Sequence, residues 1–287
     1  MLARITRHLL RIAITLLIGG LFAATLIRFA PGFDIDEQQM DARLSSETIQ
    51  ALRQQRAAQG NIFKFYSGFL SSALHGDFGQ SQTLNRPVRE LVAERLPVTM
   101  KLMLYGLIVG WSSALLFSVT ASMTRIAAWD VATTATAGLF LCIPSAVLAL
   151  AFVFIRAPGF LALGLMVFAN VFRYWRNLLE KSYAMPHIIT ARAKGLGTFR
   201  ILLWHVLPVS GAQLLAVAGV SVSVALGASI PVEALCGIPG IGQLAWQAAL
   251  GRDLSLLVTL TSLVTVVTLL ANTTSDLLGQ AFRTQRA

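Results

Sequence analysis

Residues 254–278 read LSLLVTLTSLVTVVTLLANTTSDLL, and the one ionisable side chain among them, Asp276, stands near the end. A helix needs about 20 apolar residues to cross a hydrocarbon core, so this stretch is long enough to do so. Comparable apolar blocks lie at 98–120, 131–155, 157–175 and 206–230. A further block, Leu9 to Ile27, follows Arg4, Arg7 and Arg11. That first block has the outline of a signal peptide. No A-x-A cleavage site follows it, however, and Arg28, Pro31 and Gly32 close a full-length span, so it reads as an uncleaved anchor. The block at 157–175 is the weakest, ending in Arg173-Tyr-Trp-Arg176. Tyr174 and Trp175 suit a membrane interface, and both arginines can reach past it to water. The pattern predicts an all-α membrane protein with six transmembrane helices.

Composition points the same way. Of 287 residues, 55% are hydrophobic and 13% charged, with a mean hydropathy of +0.69. Soluble domains carry about 25% charged residues, so an ordinary soluble enzyme, a disordered regulator and a disulfide scaffold are all excluded. The net charge of +10 lies mostly beside apolar blocks, where the positive-inside rule accounts for it. No basic helix or aromatic ladder accompanies the charge, so nucleic acid is not an expected partner. With the N-terminus inside, the inner segments hold 12 Lys and Arg. The short outer connections hold two, Arg156 and Arg252; the long stretch 28–97 counts little in this rule. Both termini are therefore expected in the cytoplasm. The division is a cytoplasmic N-terminus with the first transmembrane helix (1–27), an external, periplasmic subdomain (28–97) and a five-helix core (98–287) containing a cytoplasmic segment at 173–208. Within the external part, Ser45 to Gln59 reads as a helix, and His75-Gly-Asp-Phe-Gly79 and Asn85-Arg-Pro87 read as turns.

The spans hold almost no titratable groups. Lys101 lies one turn into the second and can snorkel, and Asp276 sits at the end of the sixth. Ion-coupled carriers normally place such groups at membrane depth. No G-x-x-x-x-G-K-[ST] phosphate loop is present, so active transport would need a partner's energy. The four histidines fall in loops or at span edges, which leaves Ser229 without a base; no catalytic residue and no metal site is expected. Cys142 and Cys236 are too far apart in sequence and context to suggest a framework. Gly106 and Gly110, and Gly219, Ser223 and Gly227, repeat at helix-packing spacing.

Residues 173–208 carry six basic side chains and one acid, Glu180. Thr190-Ala-Arg-Ala-Lys-Gly-Leu196 favours a short helix with a left-handed exit at Gly195. Pro208 suits the first turn of the next span. Here the sequence resembles the membrane permeases of binding-protein-dependent ABC importers, in their dipeptide/oligopeptide/nickel branch. That family's cytoplasmic loop has the pattern E-A-A-x3-G-x9-I-x-L-P. Aligned on Gly195, Ala191, Leu207 and Pro208 match; Ile189 stands where the family has Glu, Thr190 replaces its first Ala, and His205 replaces its Ile. Leu26-Ile-Arg28-Phe-Ala-Pro-Gly32, Gly76-Asp-Phe-Gly79, Arg86-Pro87-Val88 and Glu94-Arg-Leu-Pro97 resemble the end of its first span and the approach to its second. Pro231-Val-Glu233 through Gly237-Ile-Pro-Gly-Ile-Gly242, with Arg252-Asp253, resembles the external loop before its last span. The connection between the third and fourth spans, Arg156-Ala-Pro-Gly159, is shorter than the family's.

The resemblance implies the type I importer permease fold and a transport subunit, not an enzyme, in a bacterial inner membrane. It implies as partners a second homologous permease, two cytoplasmic ATPases, an extracytoplasmic substrate-binding protein and the lipid bilayer. The chain itself would bind no cofactor, ATP and Mg being used by the ATPases. Cargo would be peptides or a related small solute, nickel chelates included. Residues Ile189, Thr190, Ala191, Arg192, Ala193, Lys194, Gly195, Leu196, Leu207 and Pro208 would couple to an ATPase. Arg192 and Lys194 would pair with acidic groups there, or anchor to anionic lipid. Glu233, Pro239, Gly240, Gly242 and Asp253 would form the loop that receives the binding protein. The rival reading is a degenerate permease acting as a membrane scaffold that moves nothing.

Overall fold

The computed structural model describes residues 62–124 and 126–284, with residues 10, 14, 15, 17–22 and 25. The helix read at Ser45–Gln59, the Arg28–Gly32 motif and much of the first span lie outside the described residues. Among the described residues the regular elements are helices, joined by one isolated bridge between Gln80 and Pro87. The chain divides into two units, residues 1–96 with 244–267, and residues 97–243 with 268–287.

The first unit contains α1 (Ile62–Leu74). Tyr66 packs there with Leu254 and Val258, and Leu21, Phe69 and Leu70 lie against them. The turn reading at His75–Gly79 holds; at Asn85-Arg-Pro87 the turn itself lies just upstream, at 82–84, and Arg86 and Pro87 pair back with Ser81 and Gln80. Gly76 and Gly79 have φ of +80° and +76°, Asp77 Oδ1 accepts the Gly79 N–H at 2.9 Å, and Asn85 has φ +50°.

Helix α2 (Val88–Thr124) starts well before the apolar block at 98–120 and carries Pro97 inside it. Hydropathy marks the membrane-depth part of a helix, not the helix. The segment before Pro97 is amphipathic: Val88 and Leu91 are buried, while Arg86 reaches Glu94 at 3.1 Å and Glu90 at 3.8 Å. A proline removes one backbone donor and crowds the preceding turn, which a helix of this length absorbs.

In the second unit the block 131–155 is not one straight span. Helices α3 (Ala127–Cys142) and α4 (Ser145–Phe154) meet at 101°. Pro144 lacks the N–H that would continue α3 and holds Ile143 in an extended conformation, φ −79° and ψ 123°. The short connection through Arg156 (φ +54°) leads into α5 (Gly159–Tyr183). Helix α5 has 13 of its 25 residues buried. Its inner face is covered by protein, which explains why its sequence is the least lipid-like of the expected spans.

Close backbone approach accounts for the small residues. A Cβ on Gly106 would lie 2.7 Å from Leu163 Cδ2, and one on Gly110 would lie 2.6 Å from Val167 Cγ1 and 2.9 Å from the Gly164 carbonyl. The GxxxG of α2 is thus its contact with α5. Beyond α5 come α6 (Pro186–Ala193), α7 (Thr198–Ile201), a π-helical stretch Leu202–Val206, α8 (Leu207–Leu235), α9 (Ile241–Leu250) and α10 (Leu254–Thr284). Gly219 on α8 faces Asn272 and Ser275 of α10, with Asn272 Nδ2 donating to Ser223 Oγ at 3.3 Å. Gly227 has nothing within 4 Å. Three described helices are long and apolar enough to cross a membrane: Val88–Thr124, Thr198–Leu235 and Leu254–Ala281; the bent pair α3–α4 is apolar enough only when its two halves are taken together, as a broken span or a re-entrant loop.

Candidate functional site

The segment 173–208 is built around α6. Met185 and Pro186 start it, with Pro186 at a position where its missing donor costs nothing. Its end is a Schellman motif: Leu196 N–H bonds Ala191 O at 3.2 Å, and Gly195 N–H bonds Arg192 O at 2.9 Å. Gly195 takes φ +74°, the left-handed exit read from the sequence. Ile188 and Ala191 are 0% and 4% exposed and hold α6 to its own chain. Ile189, Thr190, Arg192, Ala193 and Lys194 are exposed, and Leu196 is half-buried. The two alanines therefore differ: Ala193 is free for an outside partner and Ala191 is not. The Arg192 guanidinium lies 5.6 Å from the centre of the Tyr183 ring, a cation–π contact that orients it.

Leu207 and Pro208 open α8, with Pro208 in its first turn as read from the sequence, but no break precedes them. Residues Thr198–Leu235 form one continuous helix, widened at 202–206, where Leu207 N–H bonds Leu202 O. Pro208 has no N–H for the Trp204 carbonyl and its ring would press on it in a regular α-helix. The π stretch just upstream accommodates that. Ser182 and Ser210, both buried, are 3.0 Å apart and tie the end of α5 to the start of α8. At the same end of α5, Arg176 Nη2 lies 2.7 Å from both Asp130 Oδ2 and Glu180 Oε1.

The second group of candidates is organised by a buried carboxylate. The sequence suggests that Pro231 opens an external loop, yet α8 runs through Pro231 to Leu235 and a further helix, α9, begins at Ile241. Glu233 is 0% exposed. Its Oε2 accepts the N–H of Gly242 at 2.6 Å and that of Gln243 at 3.3 Å. Thr99 Oγ1, from α2, accepts the N–H of Ile241 at 2.8 Å. Three of the four N–H groups that a helix start leaves unsatisfied are thus met by two side chains from two other helices. Gly240 fits beneath them, since a Cβ there would collide with Glu233 and Thr99. Pro239 and Gly237 are exposed at the tip. Glu233, Gly240 and Gly242 are therefore brought together as a scaffold, with Pro239 on the surface.

Asp253 belongs to the first unit, where it is 0% exposed. Its Oδ1 caps α10 through Leu256 N–H at 3.1 Å, and its Oδ2 accepts from Ser81 Oγ at 2.6 Å and Thr83 N–H at 3.1 Å. Asp before an apolar run is a helix-start signal, so this role was available in the sequence. Thr99, Ser81 and Thr83 carried no local signal.

Long apolar helices together with a short, firmly capped helix define the class as far as geometry reaches: a helical membrane protein. The family model described as "Binding-protein-dependent transport system inner membrane component" matches residues 106–285, and the chain belongs to that family. It is 31% identical over 289 residues to the oligopeptide transport system permease protein OppB of Escherichia coli K12, and 30% identical to that of Salmonella typhimurium, covering 92% of each chain. A putative peptide transport system permease protein of Brucella suis is 28% identical over 73% of this chain and 75% of its own. Among solved structures, an inward-facing conformation of the MetNI methionine ABC transporter superposes with a TM-score of 0.56 over 67% of this chain and 96% of that one, at 19% identity. The chain is thus a multi-pass inner-membrane component of an ABC importer with the type I permease fold, a transport subunit and not an enzyme.

Proposed function

We propose that this chain is one of two homologous permease subunits in an ATP-driven importer of peptides or related small solutes, nickel chelates included. Its six spans leave both termini in the cytoplasm, and residues 28–97 lie outside. Two cytoplasmic ATPases, which use ATP and Mg, close on one another. Residues Ile189–Leu196, with Leu207 and Pro208 behind them, pass that motion to the spans. The loop carrying Glu233, Pro239, Gly240, Gly242 and Asp253 receives a ligand-loaded binding protein; Pro239 makes contact, while Glu233 and Asp253 hold the backbone in shape.

One observation carries the coupling role. Helix α6 offers Ile189, Thr190, Arg192, Ala193 and Lys194 outward while its other side is anchored by Ile188 and Ala191 and its end is locked by two Schellman bonds. A short helix so held transmits a push instead of bending, as a packed bistable interface requires. The oligopeptide permeases among its relatives support peptides as cargo. The test is uptake by the complete importer, with its ATPases and binding protein, in proteoliposomes. ATP-dependent accumulation of a peptide in the presence of the binding protein is the expected result. Assembly of the complex with ATP turnover but no accumulation of any ligand would instead favour the scaffold reading. Arg192→Glu should reduce ATPase co-purification, and an unchanged yield would remove Arg192 from the contact.

A further inference from the structure

Helices α3 and α5 do not close on each other along their whole length. A cavity of about 360 Å3 lies between them. Its walls are apolar over most of their length, with Ala137, Gly138 and Leu141 on α3 and Phe172 on α5. Gly138 has nothing within 4 Å of the position a Cβ would take, so the opening is real at that point. At one end stand Arg173 and Asn177.

The two arginines bordering the cavity differ in charge balance. Arg176 is held by Asp130 and Glu180, each at 2.7 Å, and by Thr134 Oγ1 at 3.1 Å. Arg173 rests its guanidinium 5.8 Å from the Tyr174 ring centre and, among the described residues, pairs with no carboxylate. One uncompensated cation, one amide and an apolar trough are what remain for a ligand.

We propose that this groove is a binding site for an anionic phospholipid, its phosphate on Arg173 and Asn177 and an acyl chain along Ala137, Gly138, Leu141 and Phe172. Basic pockets between membrane helices take such headgroups, and the exposed Tyr174 beside Arg173 is an aromatic residue suited to that depth. A peptide fits less well. It would bring an ammonium group and several backbone donors into a trough whose nearby carboxylates, Asp130 and Glu180, are already engaged by Arg176, and whose helical backbone is bonded internally. A lipid chain asks for no polar partner there. The site depends only on the chain residing in a membrane and stands whether or not the transport mechanism proposed above is correct.

Native mass spectrometry of the assembled importer tests this, after release from a bilayer of equal parts phosphatidylcholine and phosphatidylglycerol. Wild type should retain phosphatidylglycerol selectively. Arg173→Ala, at an exposed side chain, should lower retention about fivefold, the effect of one basic residue near a headgroup; Arg173→Lys should keep most of it. Gly138→Leu should expel the lipid with Arg173 intact, which a diffuse surface charge would not do. Lys181→Ala, on the same helix but outside the cavity, should change nothing. Equal retention by wild type and Arg173→Ala, equal retention of phosphatidylcholine, or displacement of the lipid by trialanine would each overturn the assignment, the last giving the groove to cargo.

Discussion

The carboxylate of Glu233 lies 2.6 Å from the amide nitrogen of Gly242, and both residues are buried. The first turn of α9 therefore depends on a side chain near the end of α8. Replacing Glu233 with Ala strips the acceptor from the buried Gly242 N–H and the half-buried Gln243 N–H, and an unsatisfied buried donor costs about 1–3 kcal/mol. Glu233→Ala should lower the melting temperature of the purified protein markedly. Glu233→Gln, which still presents an acceptor oxygen, should lower it less. Equal losses from both would mean that charge, not the hydrogen bonds, is what α9 requires.

Thr99 serves the same helix end, so the two sites should couple. Thr99→Val keeps the shape but removes the acceptor for Ile241 N–H. If α9 is held jointly, the double variant with Glu233→Ala should differ from the sum of the singles by about 0.5–3 kcal/mol. Once α9 has detached, losing the second acceptor costs little more. Strict additivity, measured by denaturant unfolding in detergent, would show two independent anchors.

Asp253 combines a helix cap with a tertiary tie. Losing a cap alone costs about 0.5–2 kcal/mol, and Asp253→Ala also leaves Ser81 Oγ and Thr83 N–H without their acceptor. The expected loss is therefore greater than for Ser81→Ala, which removes the bond to Asp253 and the one from Leu84 N–H at 3.1 Å but leaves the helix cap and the Thr83 bond intact. Hydrogen exchange should report faster opening at Thr83 and Leu256 in Asp253→Ala, and at Leu84 but not Leu256 in Ser81→Ala. Protection unchanged at Thr83 in Asp253→Ala would contradict the tie.

What the sequence disclosed, and what it hid, follows from the range of each interaction. Gly195 was legible because a helix that must turn left at one residue selects glycine locally, and the Gly106–Gly110 spacing was legible because packing repeats with the helical period. The reach of α2 upstream of Pro97 was not, since charged Arg89, Glu90 and Glu94 mark the edge of the apolar block and say nothing about the helix itself. Helix α9 was missed for another reason. Its turn-rich start, Gly237-Ile-Pro-Gly240, reads as loop, and the acceptor from Thr99 comes from 142 positions away. Glu233 was picked out by resemblance as part of a docking loop, and its burial stayed hidden because the N–H groups that give a carboxylate a place inside belong to a helix start nine positions on.

The α2–α5 contact predicts a size limit. Gly110→Leu would drive a side chain into Val167 and the Gly164 carbonyl, and overpacking of this kind typically costs 1–3 kcal/mol. Because backbone is involved, α5 cannot relieve it by changing a rotamer alone. Reduced yield of folded protein in detergent, recovered in part by Val167→Ala, is the expected pattern. Gly138→Ala, on the open face of α3, should cause no loss in the same assay, since alanine favours the helix, and a comparable loss there would mean that insertion, not packing, was being measured.

Gly195 gives the sharpest separation between fold and transport. A left-handed backbone costs an L-residue about 1–2 kcal/mol, and a β-branched side chain crowds it further. No neighbour lies within 4 Å of a Cβ placed there, so the penalty in Gly195→Val is one of backbone conformation, not of collision. The chain can relieve it by breaking the bonds from Gly195 and Leu196 to Arg192 and Ala191. That unlocks α6 while leaving the membrane helices as they were. Gly195→Val should therefore insert and assemble at wild-type levels, yet lose peptide uptake in the complete importer. Gly195→Asn, which tolerates the left-handed region, should retain much of it. Because both variants differ from wild type at an exposed site of the same segment, loss in valine with survival in asparagine assigns the defect to the locked turn. Full uptake by Gly195→Val would mean that a rigid α6 is not what carries the motion.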